Sequence, residues 1–224
     1  MTQISRWDRL KGFGPLLDAF ALLKGHRPTR PRSARHQLYI DHARLVLAGP
    51  EPAGVQDDPE AEETLAELCR RWCGLPPELQ REIAILALPL TSVTENALVV
   101  NVLQRCSTIV VQNSIREGFG LTVAEAMWKA LPVMGSAAAG IRAQVVDGIT
   151  GRLADQAENA QAIATTLDAM LMDGREREVW GRNARDRVSR EFLIFGEVRR
   201  WQQLLAEVAS TSSSSAAGAA SDCR

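Results

Sequence analysis

Short, wholly apolar runs alternate with helical patterns along most of the chain. Leu16, Leu17, Phe20 and Leu23 recur at helical spacing over residues 14–24, with Pro15 in the first turn. A Pro/Arg-rich connection follows at 25–36. Residues 44–48, RLVLA, read as a buried strand closed by the turn signal GPEPAG. Residues 59–73 predict an acidic amphipathic helix opening at Asp58-Pro59, and a short turn then leads into a second buried strand within 83–90. The pattern repeats as helix 95–105, strand 107–112, helix 120–130 and strand 132–136. It ends with a short helix from 141, strand 150–154 and helix 157–174. From 174 it is helical throughout, in two segments, 175–192 and 195–208. The Ser/Ala-rich end has nothing to bury and reads as a disordered tail, which leaves one domain over 1–208 and a tail over 209–224.

Strands that are apolar at every position belong to a parallel sheet covered on both faces. About five β-α units predict a single doubly wound, Rossmann-like α/β domain with extra C-terminal helices. Ligands bind such a sheet at the carboxyl ends of its strands.

Composition narrows the function. In 224 residues there are 26 Lys+Arg against 27 Asp+Glu, a formal charge of −1, which argues against a nucleic-acid partner held by bulk electrostatics. The local cluster Arg27, Arg30, Arg32 and Arg35 reads as a solvated insertion. No apolar run approaches the ~18 residues of a membrane span, and the first residues lack the apolar core of a signal peptide. The expectation is a soluble cytoplasmic protein. Cys69 and Cys73 lie four apart with no second pair to complete a metal site, and His26, His36 and His42 have no ligand spacing, so no metal is expected. Trp180 and Trp201 fall at helical spacings typical of core packing.

The candidate chemistry lies in VVQNSIREGFGLTVAEAMWK, residues 110–129, which runs strand, glycine-containing turn, helix. Gly118 and Gly120 let the backbone approach a ligand closely. Beside Phe119, the N–H groups near Gly120, Leu121 and Thr122 open the helix without intrahelical partners, a ready anion site. A lone Gly-x-Gly is weak evidence, being neither GxGxxG nor a P-loop. Glu117 before the turn and Glu125 in the helix are suited to accept hydrogen bonds from ribose or sugar hydroxyls. On the residues alone a bland reading stays open, with Glu117 as a loop charge and Glu125 as a complement to the helix dipole.

Glu117-Gly118-Phe119-Gly120 through Glu125-Ala126 resembles the E-x7-E signature of retaining, nucleotide-sugar-dependent GT-B glycosyltransferases. Together with ENALVVNVLQR (95–105), the segment is similar to the trehalose synthase and trehalose phosphorylase branch. SRWDRLKG (5–12) resembles that branch's diphosphate-holding segment, and GIRAQVVDGITGRL (140–153) its donor-domain run. The resemblance covers about residues 3–208. It implies a donor-binding domain whose nucleotide sugar is a substrate, with no cofactor. It implies that Arg6 and Lys11 neutralise the donor diphosphate, Glu125 holds the ribose and Glu117 the transferred sugar. It also implies that the partner of this domain is an N-terminal acceptor domain, here expected as a separate chain, with a homo-oligomer as the other arrangement. A catalytically inactive remnant and a nucleotide-sugar-binding or interaction module remain alternatives. Three departures stand out. The strand before the Arg–Lys loop is cut to TQIS, Ala139 replaces the first Gly of a Gly-Gly pair, and Asn113 replaces a Lys close to the site.

Overall fold

In the computed structural model, which describes residues 1–25, 33–54, 59–172 and 174–219, six strands make one parallel sheet. They are β1 (Thr2–Ile4), β2 (Leu45–Pro50), β3 (Ile83–Leu88), β4 (Val110–Gln112), β5 (Val133–Ser136) and β6 (Gly151–Ala154). The order is β3-β2-β1-β4-β5-β6, with Gln3 opposite Leu47, Leu47 opposite Ile85 and Val110 opposite Val133. Successive connections run one way from β1 and the other way from β4, so the strand order reverses between them. That reversal opens a crevice above the carboxyl ends of β1 and β4.

The apolar runs account for five of these strands, and the sixth is the short β1. Thr2 and Gln3 are both buried, yet both are satisfied. The Thr2 hydroxyl accepts from Ser107 Oγ at 2.6 Å, and Gln3 spends its amide on backbone groups beside the site. A polar strand can therefore sit at the centre of the sheet without an unpaired group.

The helices are α1 (Phe13–Gly25), α2 (Ala34–Asp41), α3 (Pro59–Cys73), α4 (Pro77–Gln80), α5 (Val93–Arg105), α6 (Leu121–Trp128), α7 (Ala139–Gln144), α8 (Ala160–Met172), α9 (Gly174–Glu191) and α10 (Ile194–Ala219). The largest core cluster joins Leu16, Leu17 and Phe20 of α1 and Leu68 of α3 to Ile163 and Leu167 of α8. A second joins Val123 and Met127 of α6 to Val110, Val133, Ile141 and, from α9, Ala184 and Val188. A small third cluster lies under α5, where Val99 and Leu103 meet Ile4, Ala48 and Leu88.

Three sequence expectations change here. Part of the expected connection at 25–36 is the start of α2, capped by the Ser33 hydroxyl accepting from His36 N at 3.1 Å. Arg27, Arg30 and Arg32 lie outside the described residues, while Arg35 donates to the Tyr39 hydroxyl at 3.2 Å. Trp180 is core as expected, and its Nε1 donates to Gly148 O at 3.0 Å. Trp201 is not core: it is 60% exposed, because α10 carries it beyond the packed layers together with exposed Phe195, Val198, Leu205 and Val208. The backbone of α10 is helical through Ala219, across most of the expected tail. Continuing a formed helix through Ala and Ser needs no new nucleation. Residues 220–224 lie outside the described residues. No helix among the described residues is long and apolar enough to cross a membrane.

Candidate functional site

The crevice above β1 and β4 is built from three segments: the turn after β1, the loop between β4 and α6, and the start of α7. The turn after β1 carries Arg6 and Lys11. Asp8 caps its 3-10 turn by accepting from Leu10 N at 2.7 Å, and the Arg6 guanidinium lies 3.7 Å from Asp8 while remaining largely exposed. Gln3 Nε2 donates to Lys11 O at 2.7 Å, tying this turn down to the sheet.

Lys11 and Glu117 come together. Lys11 Nζ is 2.8 Å from Glu117 Oε2, with the side chains only 15% and 14% exposed. Ser114 Oγ donates to the same carboxylate oxygen at 3.1 Å. Below them Gln112, almost fully buried, donates to Ser5 Oγ at 2.9 Å and Ser114 Oγ at 2.8 Å, and accepts from Thr122 Oγ1 at 2.8 Å. The carboxylate and ammonium thus sit on a polar network rooted in both central strands. Sequence reasoning missed Gln3, Ser5, Gln112 and Ser114. The signal was a buried-strand pattern that ends in a polar residue, as VVQ does.

Gly120 caps α6 at φ 88°, a conformation that only glycine adopts without strain. Leu121 and Phe119 are exposed beside it, and Phe119 meets the Phe192 ring edge-on at 5.9 Å between centroids. The segment Gly118-Phe119 runs directly against Gly140. A Cβ built on Gly140 would lie 2.5 Å from Gly118 C and O, so this position demands glycine. Ala139, the first residue of the altered pair, is exposed.

Glu125 does not join the Lys11–Glu117 group through any bond that the structure records. Its Oε2 accepts from Nε2 of the fully buried Gln104 on α5, at 3.2 Å. The other end of that amide accepts from Lys129 Nζ at 2.5 Å. Burial holds Lys129 below its ordinary pKa; the Glu125 carboxylate pulls it back up and Arg105 adds to the depression. Asn113 stands where the resemblance has a Lys close to the site. The residue is fully buried, and its Nδ2 donates to Gly12 O at 3.1 Å and Ala157 O at 2.8 Å, clasping two loops. Among the described residues no three His, Cys, Asp or Glu side chains cluster as a metal site would.

Residues 90–187 match the family described as Glycosyl transferases group 1. The chain carries a group 1 glycosyltransferase domain. It is 35% identical over 209 residues to a trehalose synthase of Thermococcus litoralis, a match that covers 92% of this chain and 43% of that protein. A trehalose phosphorylase of Pleurotus pulmonarius is 27% identical over 205 residues, covering 91% of this chain and 26% of its own. The chain therefore spans less than half the length of these curated relatives. Among solved structures, sucrose-phosphate synthase of Thermosynechococcus elongatus superposes with a TM-score of 0.68 at 23% identity, over 94% of this chain and 45% of that one. Anabaena HepE in complex with UDP and glucose gives 0.66 at 21%, over 93% and 47%. The fold of this chain is thus that of a Rossmann-like domain of GT-B glycosyltransferases.

Proposed function

We propose that this chain is the donor-binding half of a retaining glycosyltransferase of trehalose synthase/phosphorylase type. The observation that carries the reading is the close Lys11–Glu117 pair set beside the Gly120-led start of α6, at the switch point of the sheet. A nucleoside diphosphate laid across that point meets Lys11, Arg6 and the first N–H groups of α6. These cations and dipoles supply the charge that a departing diphosphate needs, so the reading calls for no metal. Arg6 offers a planar fork and Lys11 a point charge. Glu117 then turns from Lys11 to the hydroxyls of the transferred sugar, and Glu125 accepts from the ribose. HepE, of the same fold, was solved with UDP and glucose, which supports a uridine or similar nucleotide as the ligand class.

The acceptor side is assigned to the part of the relatives' length that has no counterpart here. The exposed apolar residues of α10, Trp201 among them, offer such a domain a surface. Calorimetric titration of the chain with UDP, ADP, GDP and their glucose conjugates tests the reading. Weak binding of at least one nucleoside diphosphate is expected, weak because the crevice is open and its groups stay solvated. No heat with any of them at millimolar concentration overturns it.

A further inference from the structure

Gln144 ends α7 and is fully buried. Its Nε2 donates to the carbonyl oxygen of Phe119, in close contact, and lies 3.4 Å from those of Gly120 and Gly140. Its Oε1 is also buried, with no hydrogen-bond partner among the described residues. A methionine would fill similar space without stranding an acceptor, so packing alone does not account for an amide here.

Peptide planarity shows what the donated hydrogens do. In a trans peptide the carbonyl and the following N–H point in opposite directions. With the Phe119 carbonyl drawn towards Gln144, the Gly120 N–H faces away from it. The Gly120 carbonyl is set by α6 itself, accepting from Val123 N at 3.0 Å, and the Leu121 N–H follows it in the same sense. These are the groups that open α6 without an intrahelical partner. Gln144 is itself held from α9, where Arg187 Nε donates to Gln144 O at 2.8 Å and Nη2 to Ala143 O at 2.9 Å. The same guanidinium lies 5.6 Å from the centroid of Phe192, the ring that meets Phe119. Helix α9 thus reaches the turn by two routes, one through the buried amide and one through the edge-on rings.

We propose that Gln144, held by Arg187, is a positioning residue that aims the Gly120 N–H group at the donor diphosphate. The inference rests on the donor-site reading above. It touches no reacting atom, and it predicts an effect confined to the phosphates.

The test uses the full chain, its Gln144→Met variant and its Arg187→Lys variant. Each is titrated with whichever of UDP, ADP and GDP binds the unaltered chain tightest, and with the matching nucleoside, and its melting temperature is recorded. In Gln144→Met the diphosphate affinity is expected to fall about tenfold, the worth of one charge-assisted hydrogen bond, while the nucleoside affinity holds. Arg187→Lys should show the same selective loss to a smaller degree, which keeps the test open if the first variant fails to fold. A general loosening of the fold would weaken both ligands together. Equal losses for the two ligands, or an unchanged diphosphate affinity in the folded variants, overturns the inference and leaves the donor reading standing. Failure of the unaltered chain to bind any of the three diphosphates overturns both.

Discussion

Neutralising Glu117 separates the sugar from the diphosphate more sharply than any other single change. In the free protein its carboxylate is engaged by Lys11 at 2.8 Å and Ser114 at 3.1 Å. A bound diphosphate competes with Glu117 for the Lys11 ammonium. In Glu117→Gln that competition is weakened, because a neutral amide oxygen attracts the ammonium less, so UDP is expected to bind as well as before or more tightly. A nucleotide sugar loses instead. One hydrogen bond from a sugar hydroxyl to a carboxylate is worth about 1.5–3 kcal/mol, which corresponds to a fall of roughly 10- to 150-fold. The substitution preserves shape, and the pair is only partly sealed from water. The stability change should therefore lie between those of exposed and buried pairs, about 1–2 kcal/mol. Calorimetry with UDP and UDP-glucose on both proteins, with melting curves as the control for folding, reads all three quantities. The reasoning is refuted if UDP and UDP-glucose lose affinity equally, or if UDP alone is weakened.

Glu125→Gln should weaken UDP itself by a similar factor, since the carboxylate is assigned to the ribose; unchanged UDP affinity by calorimetry contradicts the assignment. The same variant removes the charge that raises Lys129, so an NMR titration of its side chain should find Lys129 below the ordinary lysine range in the unaltered chain and lower still in the variant. Gly140→Ala forces a Cβ against the Gly118 backbone at 2.5 Å and is expected to destabilise the fold by about 1–3 kcal/mol, read as a lower melting temperature; an unchanged melting temperature would show that the turn gives way freely. The chain alone should transfer no sugar at a useful rate. Holding acceptor and donor together supplies about 7–11 kcal/mol of barrier lowering, and the proposal assigns the acceptor side to another domain. Disaccharide formation by the purified chain would prove that wrong.

The fold was legible where strands carried an unbroken apolar run, as in 45–48 and 132–135. At β1 only the resemblance marked a strand, as TQIS; the apolar pattern did not, because Thr2 and Gln3 are buried polar residues whose partners come from residues 11 and 107–113. No local pattern carries such distant pairings. The turn bearing Glu117, Gly118 and Gly120 stood out because glycines and a helix start lie together in sequence. Its supports did not, because Gln112, Gln104 and Gln144 look like ordinary polar residues until the sheet and helices bring their partners within reach. Trp201 failed for the opposite reason. Helical spacing shows that a face is apolar, and says nothing of what covers it. That Asn113 clasps two loops shows only once the fold buries it between them.

The central claim, that a nucleoside diphosphate binds across the start of α6, is tested most directly by backbone amide shifts recorded during a titration with UDP. The account predicts that Lys11, Gly118, Phe119, Gly120, Leu121 and Thr122 shift together and saturably, with Gln104 and Glu125 following as the ribose engages. Saturable shifts confined instead to the separate polar cleft lined by Arg152, Asp155, Gln161 and Thr165 would contradict it, as would no shift in the 117–122 turn at saturating ligand.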